Sequence, residues 1–93
     1  MIHNTVIDVG AGYGIFLQEW KKQHPDDLIC AIEPGEKLAK ICRGKGILTL
    51  ETHGEHAKAW EGKADLTTCF EVIEHVHSPL SFLQALLTLT KPG

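Results

Sequence analysis

Two nearly uninterrupted apolar pentapeptides, Thr5-Val6-Ile7-Asp8-Val9 and Leu28-Ile29-Cys30-Ala31-Ile32, restrict this chain more than any other feature. Short apolar runs without polar alternation read as strands buried on both faces, which only a sheet covered on both sides can supply. Between them, Ile15 to His24 carries Phe16, Leu17 and Trp20 at helical spacing, and Pro25 stops the helix. Thr5 and Leu28 lie 23 residues apart, room enough for a right-handed crossover helix, so the two strands are expected to run parallel.

The rest of the chain repeats the alternation. Glu36 to Arg43 places Leu38, Ile41 and Cys42 on one helical face, with Gly44 as the expected residue just past its end. Ile47 to Leu50 reads as a third strand, His53 to Trp60 as a loose helix, and Leu66 to Phe70 as a fourth strand. Ser78-Pro79 opens a further helix, Ser as N-cap and Pro in the first turn, with Leu80, Leu83, Leu86 and Leu87 on one side. Lys91-Pro92-Gly93 is turn chemistry. Strands alternating with helices imply an α/β domain: a partial doubly wound parallel sheet, strand order 3-2-1-4, with helices on both faces. Such sheets normally hold five or more strands, so the expectation is one domain over residues 1–93, a fragment lacking later strands.

Composition narrows the class. Hydrophobic residues at 43 % and charged residues at 23 % fit a globular domain and are too apolar for disorder. A net charge of −3 gives no basic footprint for DNA. No apolar run nears the ~18 residues of a membrane span, so no membrane partner is expected. Cys30, Cys42 and Cys69 are odd in number and form no CxxC pair. They read as buried thiols in a reducing, cytoplasmic compartment.

Chemistry concentrates in Asp8-Val9-Gly10-Ala11-Gly12-Tyr13-Gly14, where a strand ends and a helix begins. Glycines there allow left-handed turns and let a ligand press on bare backbone, while the helix N-terminus offers N–H groups and partial positive charge. Taken alone, the segment is equally compatible with a plain glycine-rich turn. Glu33 adds context, because it closes the second strand 23 residues beyond Gly10, where a carboxylate can accept from both ribose hydroxyls of a nucleoside. The dinucleotide pattern GxGxxG, counted from Gly10 and Gly12, needs glycine where Ile15 stands, which disfavours a nucleotide-binding oxidoreductase.

The arrangement D-x-G-x-G-x-G resembles the first motif of the class I S-adenosylmethionine-dependent methyltransferases, which have a Rossmann-like fold. Ala31-Ile32-Glu33-Pro34 is similar to their second motif. Asp65 to Val76, DLTTCFEVIEHV, is similar to their fourth-strand segment, and Leu89-Thr90-Lys91-Pro92-Gly93 resembles the turn before a fifth strand. The four motifs occur in family order across nearly the whole chain. The resemblance implies a transferase that binds S-adenosylmethionine. Asp8, Gly10, Gly12 and Gly14 would line its methionine moiety, Glu33 would hold the ribose, and Pro34 would pack on the adenine. Phe70 and Glu71 would contact the methionine end through backbone. Glu51 and Glu55 are the candidates for the adenine edge, without a clear motif. The alternative is an inactive truncated cofactor-binding fragment.

Six histidines raise the question of a metal. His3 and His24 read as surface residues at element ends, and His53 and His56 as part of a solvated loop. Glu71, Glu74 and His75 stand at i, i+3 and i+4, and similar E-x-x-E-H runs bind a metal in small-RNA 2′-O-methyltransferases and some quinone O-methyltransferases. That likeness would give a divalent cation (Mg, Mn or Fe) and favours an oxygen acceptor; the alternative is that these residues only support the cofactor loop. His75 would also be the nearest base for the acceptor's proton. The expected acceptor is a small molecule, with an RNA terminus as the other option. Lys37, Lys40, Arg43 and Lys45 read as a solvated basic face, and Phe16, Trp20, Trp60 and Phe82 as core. No Ser/His/Asp or Cys/His nucleophile pattern is visible, and methyl transfer needs none, since it relies largely on positioning.

Overall fold

The computed structural model describes residues 4–53, 57–69 and 79–91. The first strand, β1 (Thr5–Val9), leads through the glycine loop into α1 (Ile15–Gln23). Strand β2 (Leu28–Ile32), helix α2 (Glu36–Gly44) and strand β3 (Leu48–Leu50) follow. A 3-10 turn at Lys58–Trp60, strand β4 (Leu66–Cys69) and helix α3 (Pro79–Leu89) complete the described chain. The four strands form one parallel sheet in the order β3-β2-β1-β4. Fold class, strand order and the crossover between the first two strands are as the sequence implied.

Side-chain alternation divides the core into two layers. Val6, Ile29 and Ala31 point to one face, where they pack with Leu17 of α1, Cys42 of α2 and Ile47, backed by Phe16 and Trp20. Ile7, Val9, Cys30 and Ile32 point to the other, against Ala57, Ala64 and Leu89, with Trp60, Cys69 and Leu86 alongside. Helices therefore cover both faces. Trp20 also donates from Nε1 to the buried Asp27 carboxylate at 2.9 Å, so its polar edge is satisfied where its ring packs.

Three local expectations are corrected. Gly44 does not lie past the end of α2 but is its last residue; the left-handed position is Gly46, at φ 80°. Ile47 N–H donates to Cys42 O and Gly46 N–H to Arg43 O, the paired bonds of a Schellman cap with Gly46 as the left-handed residue. The leucine side assigned to α3 is also not its buried side: Leu80, Leu83 and Leu87 are 68 %, 44 % and 75 % exposed. Of the four leucines, only Leu86 packs on the sheet, where Leu89, not among them, joins it. The loose helix expected over His53 to Trp60 is a 3-10 turn from Lys58 on, residues 54–56 lying outside the described ones.

After α3, Thr90 forms a parallel bridge with Ala64, just before β4, and Lys91 N–H donates to Ala64 O at 2.8 Å. Among the described residues, the chain leaving α3 thus meets the approach to β4 in parallel orientation at this one point.

Candidate functional site

The glycine loop joins β1 to α1 at the carboxyl edge of the sheet, the side on which open α/β sheets bind ligands. Gly10, Gly12 and Gly14 all hold left-handed backbone, at φ 74°, 59° and 78°. Any other L-residue there would carry roughly 1–2 kcal/mol of strain. The loop is welded to β2 by backbone bonds, Gly10 N–H donating to Ile32 O at 2.7 Å and Ala11 N–H to the same oxygen at 3.4 Å. Gly14 closes the turn by donating to Ala11 O at 3.0 Å.

Two of the glycines have opposite surroundings. A Cβ on Gly14 would lie 2.9 Å from Ile47 Cδ1 and 3.1 Å from Cys42 Sγ, so this glycine lets the loop pack against α2 and the start of β3. A Cβ on Gly12 would meet nothing within 4 Å. Its bare Cα faces open space, the cradle that a close-lying ligand requires.

Two carboxylates flank this space. Asp8, only 2 % exposed, accepts from Thr68 Oγ1 at 2.8 Å; the two residues are register partners across β1 and β4. Burial pushes the Asp8 carboxyl up to about 6, with the Thr68 hydrogen bond opposing and the Glu33 charge adding to the rise. Glu33, 6 % exposed at the end of β2, accepts from Gly12 N–H through Oε1 and from Gly35 N–H through Oε2, both at 2.8 Å. Its own N–H donates to Leu50 O at 2.9 Å, which ties the site to β3. Pro34 beside it is exposed.

Sequence reading missed two members. Thr68 looked like an ordinary strand residue, and only the pairing of β1 with β4 sets its hydroxyl on Asp8. Cys42 read as helix core, yet its thiol donates to Gly12 O at 3.2 Å. Burial raises the pKa of all three thiols, that of Cys30 to about 12, so none is an activated nucleophile. Glu51, a candidate for the adenine edge, is exposed and paired with Arg43 at 3.4 Å. Within the basic run, Lys45 Nζ donates to Tyr13 O at 2.8 Å and so touches the glycine loop. Glu55, Phe70, Glu71, Glu74 and His75 lie outside the described residues, and with them the expected base and metal ligands. Among the described residues no three His, Cys, Asp or Glu side chains gather to hold a metal ion.

The arrangement can bind and orient. Open glycine backbone and two buried carboxylates suit a ligand bearing hydroxyl donors and positive charge, and no side chain among the described residues is poised for covalent chemistry.

A family profile described as a methyltransferase domain matches residues 3–93. The chain is 33 % identical to the ubiquinone biosynthesis O-methyltransferase of Pectobacterium carotovorum subsp. carotovorum and 34 % identical to that of Escherichia coli O127:H6. In both cases 95 % of this chain matches 39 % of the relative, so the chain spans about two-fifths of their length. Among solved structures, a putative S-adenosyl-L-methionine-dependent methyltransferase from Methanococcus maripaludis superposes with a TM-score of 0.86 at 18 % identity, over 100 % of this chain and 46 % of that one. The plantazolicin methyltransferase BpumL, solved in complex with SAH, superposes with a TM-score of 0.83 at 19 % identity, over 95 % of this chain and 35 % of that one.

Proposed function

The chain belongs to the methyltransferase-domain family, with the Rossmann-like fold of the class I S-adenosylmethionine-dependent enzymes, and on that premise we propose that it forms the S-adenosylmethionine-binding half of a small-molecule O-methyltransferase. The observation that carries this reading is the open, left-handed Gly12 backbone set beside the buried Glu33 carboxylate at one sheet edge. S-adenosylmethionine supplies a methyl group activated on a sulfonium. The residues present fit it. Glu33 keeps acceptor capacity for ribose hydroxyls, since a carboxylate offers about four lone-pair positions and two are used within the protein. Gly10, Gly12 and Gly14 would line the methionine portion, with Asp8 beneath them. Pro34 would pack on the adenine.

An oxygen acceptor is the reading favoured by the names of the relatives and by the E-x-x-E-H run at Glu71, Glu74 and His75. The test is calorimetry of the 93-residue chain with S-adenosylhomocysteine, with NAD as the control ligand. Saturable binding of the first and none of the second is expected. Heat from NAD alone, or from neither, overturns the reading.

A further inference from the structure

Glu33 satisfies two backbone donors on different segments, and neither contact involves a ligand. One is Gly12 N–H, at the tip of the loop after β1; the other is Gly35 N–H, at the entry to α2. Three other loop donors have main-chain partners: Gly10 and Ala11 use Ile32 O, and Gly14 uses Ala11 O. Gly12 alone among these four turns its N–H to a side chain. Its carbonyl is also taken by a side chain, the Cys42 thiol at 3.2 Å. Gly12, where an added Cβ would meet nothing within 4 Å, is therefore fixed from both sides by side chains from elsewhere in the fold.

We infer that Glu33 is a positioning residue for the glycine loop, a latch that sets the Gly12 peptide before any ligand arrives. The inference rests in part on the cofactor reading above, because the loop it positions is the proposed cradle. It goes further in one respect: the carboxylate that would take the ribose also builds the surface the methionine portion lies on, so recognition of the two ligand halves shares one group. A carboxylate can do this because both its oxygens accept. An amide cannot. Glutamine at this position has one accepting oxygen, and its NH₂ group would face a second N–H donor, leaving a half-buried donor without a partner.

Two measurements on the 93-residue chain test the latch. The first is backbone amide exchange without ligand. Gly12 and Gly35 are expected to exchange slowly in the wild type and about tenfold faster or more in Glu33→Gln, while Gly10, bonded to Ile32 O, is unchanged. Free-peptide rates at Gly12 and Gly35 in the wild type overturn the inference without recourse to a variant. The second is calorimetry with S-adenosylhomocysteine and with its 2′,3′-dideoxy analogue, which lacks both ribose hydroxyls. A residue that serves only the ribose would leave the analogue's affinity untouched on mutation. A latch costs both ligands about tenfold or more in Glu33→Gln. Equal binding of the analogue to wild type and Glu33→Gln overturns the latch. Failure of the wild type to bind either ligand, with the exchange pattern intact, overturns the cofactor reading and leaves the latch supported.

Discussion

Gly12 and Gly14 share one backbone hand and differ in what lies beside them, which separates folding from binding at single-residue resolution. Gly14→Ala meets both left-handed strain and the Ile47 and Cys42 contacts, so it should lower stability by about 2 kcal/mol or more, read by urea unfolding. Gly12→Ala carries the strain alone, roughly 1–2 kcal/mol, and should keep its fold while losing S-adenosylhomocysteine binding to the methyl group in the cradle. Gly44→Ala, in a helical position with open space around it, should gain about 0.5–1 kcal/mol and bind as wild type. Asp8 gives a pH prediction. Its folded pKa of about 6 lies above the ordinary carboxyl value of 3.8, so the native state favours the protonated form. Stability contributed by that preference is full below pH 3.8 and is lost as pH rises through 6. At about 1.4 kcal/mol per pKa unit, ionised Asp8 costs on the order of 2–3 kcal/mol at neutral pH. Asp8→Asn, which still accepts from Thr68, should therefore unfold at higher urea than wild type at pH 7.5, the gap narrowing as pH falls toward 4; a gap constant with pH would contradict the burial argument. The position of Asp8 was legible from its motif, but its partner was not, because Thr68 meets it only through strand pairing sixty residues away.

At the level of elements, the strands were easy to read and the orientation of α3 was not. Thr5–Val9 and Leu28–Ile32 have one stable solution, burial on both faces, and the sequence pattern states it directly. Helix α3, PLSFLQALLTL, is apolar nearly all round, so helical spacing offers several equivalent stripes. The choice of Leu86 and Leu89 as the inward pair follows from where Ile7, Cys30 and Trp60 leave room, which is a property of the sheet. Leu89→Ala should accordingly cost about 2–5 kcal/mol, while Leu87→Ala stays within about 0.5 kcal/mol, both read from chemical denaturation. The end of α2 teaches the same lesson at smaller scale. Gly44 and Gly46 are both capping glycines by type, and only the bonds from Gly46 and Ile47 back to Arg43 and Cys42 distinguish them.

For the molecule as a whole, the sheet ends on β4, whose outer side is met among the described residues only at its approach, where Ala64 pairs with Thr90. Leu80, Leu83 and Leu87 add an exposed apolar stripe on α3. An open strand edge and a leucine stripe both favour contacts between copies. The 93-residue chain should therefore sediment as a concentration-dependent oligomer, and Leu80→Lys combined with Leu87→Glu should shift it toward monomer. A monodisperse wild-type monomer would contradict this. The amino edge of the sheet, away from the glycine loop, holds a different arrangement. Thr5 N–H and Lys91 Nζ both donate to the Asp65 carboxylate, at 2.7 and 3.1 Å, and Asp65 N–H returns a bond to Thr5 O at 2.8 Å. One aspartate thus clasps the first strand to the last described residues of the chain. Thr5 and Lys91, both held to Asp65, are close enough for a short linker to join the segments they belong to, which removes conformational freedom from the unfolded chain with little demand on the folded one. The 93-residue chain, with a short linker joining the segments around Thr5 and Lys91 and a new opening in the exposed turn at Pro25-Asp26, should still unfold in one cooperative step, with the glycine loop and Glu33 carried through the permutation unchanged.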